Sequence, residues 1–214
     1  PWTGETSDSS LEPNDIDLSY IAKAKILHVS GFALSQNPCR AAIFKAINHA
    51  RKSGVRVSFD PTLRTDVWDS EATLRKMYSR ALRLSDVAVF SREEVEFIFG
   101  TSEAEVAARK ALRYGIGIVG IKLGEKGSYI MSKDGNSVRR PAFKVKAVDT
   151  TGAGDGWNAG LLVGLCKGWT LQKCATVANA IGALVVTRRG AITAMPYKQE
   201  LRTFLKCTHT RIEI

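Results

Sequence analysis

The segment Asp149-Thr-Thr-Gly-Ala-Gly-Asp155 combines residue types that suit the handling of an anion beside a proton acceptor. Gly152 and Gly154 carry no Cβ, so the backbone can approach a ligand closely there. The apolar stretch that follows predicts a helix over 156–167, whose first N–H groups lack intrahelical partners and carry partial positive charge. Such a corner suits a phosphoryl group. Because the Asp155 carboxylate could accept a proton from a hydroxyl, the segment predicts phosphoryl transfer to an alcohol.

In residue type and order, this segment resembles the second signature of the PfkB (ribokinase-like) carbohydrate kinases. The resemblance implies that Asp155 is the catalytic base. It also implies that the backbone of Gly152, Ala153 and Gly154 forms an anion hole. Trp157 stands where the family usually has phenylalanine, another aromatic anchor. The alternative interpretation is a glycine-rich turn that only caps a structural helix.

Short apolar segments alternate with helical patterns from Lys25 onward. This order predicts an α/β fold, a mostly parallel doubly wound sheet with helices on both faces, which is ribokinase-like by resemblance. We expect residues 1–24 to be a polar loop and residues 25–214 to form a single domain. The predicted strands lie at 26–29, 55–59, 87–90 and 116–122, with a hairpin at 127–131 and 137–140 and a β-rich segment at 143–148.

The composition is ordinary for a globular protein, with 44% hydrophobic and 24% charged residues in 214. The net charge of +10 comes from lysines and arginines spread along the chain, which indicates incidental solvated charge first, anionic small-molecule partners such as ATP and sugar acids second, and nucleic acid last. No apolar run approaches ~20 residues and no signal peptide is visible, so we expect no membrane insertion. Four cysteines without paired spacing indicate reduced thiols and a cytoplasmic location.

A second stretch, Asp60-Pro-Thr-Leu-Arg64, follows a predicted strand. It resembles the Asp-Pro-Asn-x-Arg stretch of fructokinases and 2-keto-3-deoxygluconate kinases within the same family. The resemblance implies that Asp60 and Arg64 lie at the substrate, where a guanidinium suits a carboxylate. Thr62 replaces the usual asparagine. The alternative is a turn in which Asp60 binds local backbone.

A third stretch, Ser91-Arg-Glu-Glu94, follows the next strand and resembles the family's Asn-x-x-Glu motif. The resemblance implies that Ser91 and Glu94 lie on the nucleotide side and that Glu94 helps to hold Mg²⁺ through water. Ser91 replaces asparagine, and its hydroxyl cannot offer both the donor and the acceptor groups of an amide at the same reach. The alternative is that glutamates are favoured there by the helix dipole alone.

The nucleotide side is implied by two further resemblances. Lys122-Leu-Gly124-Glu-Lys-Gly127 resembles the family's Thr-x-Gly-x-x-Gly loop, with Lys122 in place of threonine and able to contact phosphate by charge. A plain turn into a hairpin also requires glycines, so that reading stays open. Asn179 and Gly182 fall in a segment that resembles the adenine-side helix.

The resemblance also implies a monovalent cation near the signature. The matching positions are Asp149, Thr151, the carbonyl of Arg188, and Gly190. The implied cofactors are therefore ATP, Mg²⁺ and K⁺.

The front of the family pattern is missing from the sequence. Family members begin with a strand, a Gly-Gly sugar-binding segment and a small β lid, and none is recognisable before Lys25. The resemblance thus covers the C-terminal two-thirds of a family member. Without those strands an apolar sheet edge is exposed, so we expect a homo-oligomer or a partner chain that covers it.

Two functions follow from these patterns. The first is an ATP-dependent sugar kinase that transfers the γ-phosphate to a primary hydroxyl of a small sugar or sugar acid. Its substrate is expected to be 2-keto-3-deoxygluconate-like first, with fructose or ribose next. The alternative is a catalytically impaired, kinase-derived binding or regulatory module, or a fragment that needs a second polypeptide.

Overall fold

The computed structural model describes residues 10–210, 212 and 214, and this part of the chain forms six strands and eight α-helices. The strands are β1 Ile26–Ser30, β2 Arg56–Asp60, β3 Val87–Ser91, β4 Ile118–Lys122, β5 Ser128–Ser132 and β6 Ser137–Arg140. The helices are α1 Leu18–Ile21, α2 Cys39–Lys52, α3 Glu71–Arg83, α4 Arg92–Phe99, α5 Ala104–Leu112, α6 Ala153–Cys166, α7 Leu171–Val185 and α8 Lys198–Cys207. Short 3₁₀ turns lie at Pro13–Asp15, Gly31–Leu34, Thr65–Val67 and Gly124–Lys126.

The chain divides into two compact units, and the boundary falls inside β4. The first unit runs to Gly120 and includes Ser132–Asp134, whereas the second comprises Ile121–Met131 and Gly135–Ile214. The single domain expected over residues 25–214 stays a prediction. Among the described residues, every helix is too short or too polar to reach across a lipid bilayer.

The first unit is built on parallel strands. β1 pairs with β2 from Ile26 opposite Arg56 to Ser30 opposite Asp60, and β2 pairs with β3 in the same direction. α2 connects β1 to β2 and α3 connects β2 to β3, so the predicted α/β alternation is confirmed. β2 and β3 are buried almost throughout, as parallel strands with covered faces require.

The lead-in over residues 1–24 is more regular than the expected loop. Its first nine residues lie outside the described part of the chain. The remainder contains the 3₁₀ turn Pro13–Asp15 and α1. The Asp17 side chain accepts a hydrogen bond from the Tyr20 amide, which caps α1.

The second unit combines the predicted hairpin with three helices. β5 and β6 are antiparallel, from Ser128 opposite Arg140 to Met131 opposite Ser137. α7 and α8 share a small apolar core. Its buried members are Val177, Ala180, Leu184, Leu201 and Leu205.

Two predictions in the second unit are wrong in detail. The β-rich segment 143–148 forms no strand, and the amide of Val148 donates to the Val186 carbonyl at the end of α7. That carbonyl belongs to a helix end rather than to a strand, so no ladder can form there. α6 begins at Ala153 instead of residue 156, which places Gly154 and Asp155 inside its first turn.

Candidate active site

α6 begins at a glycine corner. Gly152 precedes the helix with φ of 79°, a left-handed conformation that glycine adopts without steric cost. A Cβ at this position would also lie 3.0 Å from the Cα of Ala191. The corner therefore requires glycine both for its backbone angle and for the close approach of a neighbouring loop.

The first turn of α6 presents backbone N–H groups, as the signature predicts. The amide of Gly156 makes the first α-helical hydrogen bond, to the Gly152 carbonyl at 2.9 Å. The Ala153 amide donates to the carbonyl of Thr150 at 3.1 Å. The amides of Gly154 and Asp155 are consequently the ones that the helix start leaves best placed for an anion.

Lys122, at the end of β4, brings a cation to this corner. Its Nζ lies 3.3 Å from the point where a Cβ on Gly154 would stand. The same Nζ donates to Oδ1 of Asn158, one turn further along α6, at 3.3 Å. Asn158 is buried beside the candidate site, where the sequence did not predict a site residue. Its signal was a polar side chain within an apolar helical stretch.

A cavity of about 880 Å³ opens beside the start of α6. It brings together seven residues that the sequence assigned to the site: Lys122, Gly124, Gly127, Ala153, Gly154, Asn179 and Gly182. The segment 142–147 and Trp157 supply much of the remaining wall, which the sequence did not predict. Asp155 is exposed on the same first turn of α6.

Asn179 fixes one wall of this cavity. Its Oδ1 accepts a hydrogen bond from Nε1 of Trp157 at 2.8 Å. Its Nδ2 donates to the carbonyls of Pro141 at 2.9 Å and Arg140 at 3.2 Å. Because both ends of the amide bind protein groups, Asn179 shapes this cavity by positioning its wall.

Gly127 brings the hairpin against the same wall. Its φ of 91° and ψ of −130° lie where side chains are disfavoured. A Cβ there would stand 1.9 Å from the Arg140 carbonyl oxygen. Gly124 also has a positive φ, 59°, but a Cβ there would meet nothing within 4 Å. Packing therefore requires glycine at position 127, whereas only the backbone angle favours glycine at position 124.

Asp149 ties the signature to the loop that follows α7. Its carboxylate accepts hydrogen bonds from the amides of Gly190 and Thr151, each at 2.9 Å. Those two bonds, the one from Gly190 first, lower the pKa of Asp149 to about 2. Three of the four positions predicted for a monovalent cation thus lie together.

The side chain of the fourth position, Arg188, points to a different partner. Its guanidinium donates to the carboxylate of Glu200 on α8. That hydrogen bond, followed by one from the Tyr197 amide, lowers the pKa of Glu200. The described residues contain no group of three or more His, Cys, Asp or Glu side chains that could hold a metal ion.

In the first unit, Asp60 is buried at the end of β2 and binds the turn that follows. Its Oδ1 accepts from the Thr62 amide at 2.9 Å and from the Thr62 hydroxyl at 3.2 Å. Thr62 has a positive φ of 46°, which is rare for a residue with a branched side chain. The carboxylate of Asp60 therefore stabilises a strained turn, in line with the alternative interpretation.

Glu94 holds the other side of the same turn. One of its carboxylate oxygens accepts from the Leu63 amide at 3.0 Å and the other from the Ser91 amide at 2.6 Å. The Ser91 hydroxyl in turn accepts from the Glu94 amide at 3.2 Å, which completes a capping box at the start of α4. Ser91 and Glu94 are thus joined to each other and to the end of β2.

A buried tyrosine completes this anchor. The Tyr78 hydroxyl donates to the Pro61 carbonyl at 2.7 Å. Burial raises the pKa of Tyr78, and the negative charges of Glu94 and Asp60 raise it further. Arg64, the predicted substrate ligand, is exposed just beyond this turn.

Comparison with known proteins identifies the family of the chain. The family model described as "pfkB family carbohydrate kinase" matches residues 1–198, which is most of the chain. The chain belongs to the pfkB family of carbohydrate kinases. This membership confirms the resemblance drawn from the signature and agrees with the α/β fold.

Among curated relatives, the chain is similar to a 5-dehydro-2-deoxygluconokinase of Geobacillus thermodenitrificans, at 35% identity over 209 residues. That match covers 96% of this chain and 62% of the relative. A similar enzyme of Bacillus anthracis is 33% identical and is covered to 63%. The chain therefore spans about 62–63% of the length of these relatives.

Solved structures of pfkB kinases resemble the chain closely. A fructokinase of Vibrio cholerae with bound fructose, ADP and calcium superposes with a TM-score of 0.84 at 34% identity, covering 94% of this chain and 66% of that one. A double mutant of that fructokinase holds potassium. A ribokinase II of E. coli in complex with ATP and Mg²⁺ gives a TM-score of 0.84 at 28% identity, over 92% and 63%. Nucleotide and metal-ion binding are thus features of these relatives.

Proposed function

We propose that this chain forms the nucleotide-binding and phosphoryl-transfer part of an ATP-dependent sugar kinase. The observation that carries the proposal is the cavity at the start of α6, which Lys122 and Gly154 both line, with the Lys122 ammonium group 3.3 Å from the position of a Cβ on Gly154. A helix N-terminus and a lysine together neutralise a phosphate that is being transferred. Names of relatives, all sugar kinases, support the same chemistry.

In this proposal, each residue at the corner has one task. The amides and Lys122 hold the γ-phosphate of ATP, and the exposed Asp155 carboxylate accepts the proton of the attacking primary hydroxyl. Phosphoryl transfer passes through a loose transition state, so the proton of the attacking hydroxyl leaves late and little proton removal is needed beforehand. Most of the acceleration then comes from positioning and from charge neutralisation.

The proposed substrate is a small sugar or sugar acid. A keto sugar acid of the 2-keto-3-deoxygluconate kind comes first, because the name of the similar 5-dehydro-2-deoxygluconokinase also denotes a keto-deoxy sugar acid. Arg64, exposed after β2, supplies the guanidinium that would bind the carboxylate. Fructose and ribose follow, in line with the fructokinase and ribokinase neighbours.

The residues present fit the two implied metal ions unequally. Both carboxylate oxygens of Glu94 accept hydrogen bonds from backbone amides. The described residues contain no group of three or more His, Cys, Asp or Glu side chains that could bind Mg²⁺, so we assign the ion no direct protein ligand. The Asp149 carboxylate is ionised and already accepts hydrogen bonds from the amides of Thr151 and Gly190. A monovalent cation beside it would therefore be held only by neighbouring carbonyls, such as that of Arg188.

An ATP-consumption assay tests the proposed kinase. The chain, alone and within a longer protein that includes the portion preceding it in the relatives, is mixed with Mg²⁺-ATP and each candidate sugar. We expect sugar-dependent ADP release that is fastest with a keto sugar acid and at least about a hundredfold slower in an Asp155→Asn variant. Equal turnover by that variant would refute the role given to Asp155.

A second candidate is a binding or regulatory module that does not turn over. It is favoured by one observation, the engagement of both Glu94 oxygens in structural hydrogen bonds. ATP and sugar binding without ADP release, in the longer protein as well, would select this candidate.

The edge of the sheet at β1 supports a proposal about partners. Within the described residues of the first unit, β1 pairs with β2 alone, so we propose self-association or a partner chain at that edge. The proposed location is the cytoplasm.

A further inference from the structure

A second cavity, of about 610 Å³, lies at the far end of α6 from the glycine corner. We refer to it as the C-terminal cavity, because the last residues of the chain form part of its wall. Its volume falls within the ~300–1,000 Å³ typical of small-molecule sites. The lining residues that matter here are Lys167, Trp169, Lys173, Arg202, Thr203 and Lys206.

Basic side chains surround the C-terminal cavity. Lys167, Lys173, Arg202 and Lys206 line it, and the described lining residues include no aspartate or glutamate. These four cations come from three elements: Lys167 follows the end of α6, Lys173 lies at the start of α7, and Arg202 and Lys206 lie in the middle and the last turn of α8. Their convergence creates a positive field that favours a multiply charged anion.

An aromatic ring holds two of these cations in place. The Lys173 ammonium lies 4.3 Å from the ring centroid of Trp169, and the Lys167 ammonium lies 5.2 Å from it. A cation–π contact fixes an ammonium group without consuming its N–H donors. Both lysines are thus positioned by an uncharged partner, and their charge stays available to a ligand.

Two further observations indicate that the arrangement suits oxygen acceptors. Lys173 lies in the first turn of α7, where the helix dipole disfavours a cation, so helix stability does not account for it. Arg202 already donates from Nη2 to the main-chain oxygen of Ile214 at 2.9 Å, which in the 214-residue chain is an oxygen of the α-carboxylate. Its remaining guanidinium N–H groups and the Thr203 hydroxyl add donors along the same side of α8.

We infer that the C-terminal cavity binds a multivalent phosphate anion, two or more linked phosphates, at a site separate from the glycine corner. Inorganic polyphosphate and the phosphate tail of a nucleotide share this chemistry. The inference is independent of the kinase proposal, because it rests on none of the residues around the start of α6.

Calorimetric titration of the full 214-residue chain with inorganic tripolyphosphate tests the inference. The test variant is Lys167→Gln/Lys206→Gln, which removes two exposed cations from the cavity. The matched control is Lys23→Gln/Lys76→Gln, which removes the same charge from exposed positions outside it. A Lys122→Gln variant separates this binding from any at the glycine corner.

We expect 1:1 binding that weakens roughly tenfold or more in the test variant and less than about twofold in the control and in Lys122→Gln. Raising the salt concentration should weaken the binding further. No binding, or an equal loss in test and control variants, would overturn the inference. Tighter binding to a short RNA, with the same dependence on Lys167 and Lys206, would overturn it in favour of nucleic acid.

Two additional arms complete the design. Thr203→Glu places a carboxylate in the cavity from an exposed position, so it should abolish binding while circular dichroism stays unchanged. Unweakened binding in a folded Thr203→Glu variant would refute the site. Titration with ATP in the Lys122→Gln background distinguishes the two sources: binding as tight as that of tripolyphosphate identifies a nucleotide tail as sufficient, and weaker binding identifies the inorganic chain.

Discussion

Substitution of Gly127 by alanine is the sharpest test of how the loop between β4 and β5 is built. A Cβ at this position would lie 1.9 Å from the Arg140 carbonyl oxygen and 2.6 Å from the Pro141 carbonyl carbon. Real Cβ atoms do not approach backbone so closely, and the obstacle is main chain rather than a flexible side chain. Either the hairpin or the segment after β6 must therefore move.

The cost of this change has two parts. A side chain in a sparsely populated region such as φ 91°, ψ −130° costs about 1–3 kcal/mol. Overpacking against fixed neighbours costs about 1–3 kcal/mol more. We expect Gly127→Ala to lower the free energy of unfolding by roughly 4 kcal/mol, which corresponds to a fall in Tm of about 8–16 °C for a chain of this length.

Gly124→Ala is the matched control in the same loop. Gly124 also has a positive φ, 59°, but a Cβ there meets nothing within 4 Å. Only the backbone angle is penalised, at about 1 kcal/mol or a fall of about 2–4 °C in Tm. Urea and thermal unfolding, followed by fluorescence, measure both variants. Equal losses in the two would refute the claim that packing against Arg140 and Pro141 sets the requirement for glycine.

Three further predictions concern the site. Asp155→Asn should lower kcat by about 10²–10⁴-fold with ATP affinity unchanged, since it removes only the proton acceptor; equilibrium binding and steady-state rates separate the two effects. Lys122→Met should weaken ATP binding roughly tenfold, whereas Lys133→Met, on the turn after β5, should leave it unchanged. Asp149 has a pKa lowered from 3.8 to about 2, so its stabilisation is complete above pH ~4 and is lost as the pH falls towards 2. In acid unfolding, the Asp149→Asn variant should lack the loss of stability that the wild-type chain shows between pH ~4 and 2. The same dependence of stability on pH in both proteins would contradict this prediction.

The glycine corner at the start of α6 was predictable because its information is local. Gly152 and Gly154 specify a backbone corner, and the apolar run after them specifies a helix, so both could be inferred without knowledge of distant residues. The contact from Lys122 to Asn158 could not, because it joins positions 36 residues apart through a buried side chain. A buried polar residue in an apolar helix was the only available signal.

Segment 143–148 shows why pattern alone misassigns strands. Its alternation of apolar and basic residues fits a half-buried strand, but a strand also needs a partner with free backbone groups. The Val148 amide finds the carbonyl of Val186, at a helix end. The burial of Asp60 and Glu94 was equally hidden, since the turn that they stabilise brings residues about thirty positions apart into hydrogen-bond contact.

The turn after β2 is secured from three directions, by Asp60 at Thr62, by Glu94 at Leu63 and by Tyr78 at Pro61. Arg64 follows this turn directly and takes part in none of these three hydrogen bonds. Its side chain can therefore be exchanged during evolution, or by an engineer, at little cost to the scaffold. Under the proposal that Arg64 binds the substrate, a change of substrate preference at position 64 would disturb the fold least.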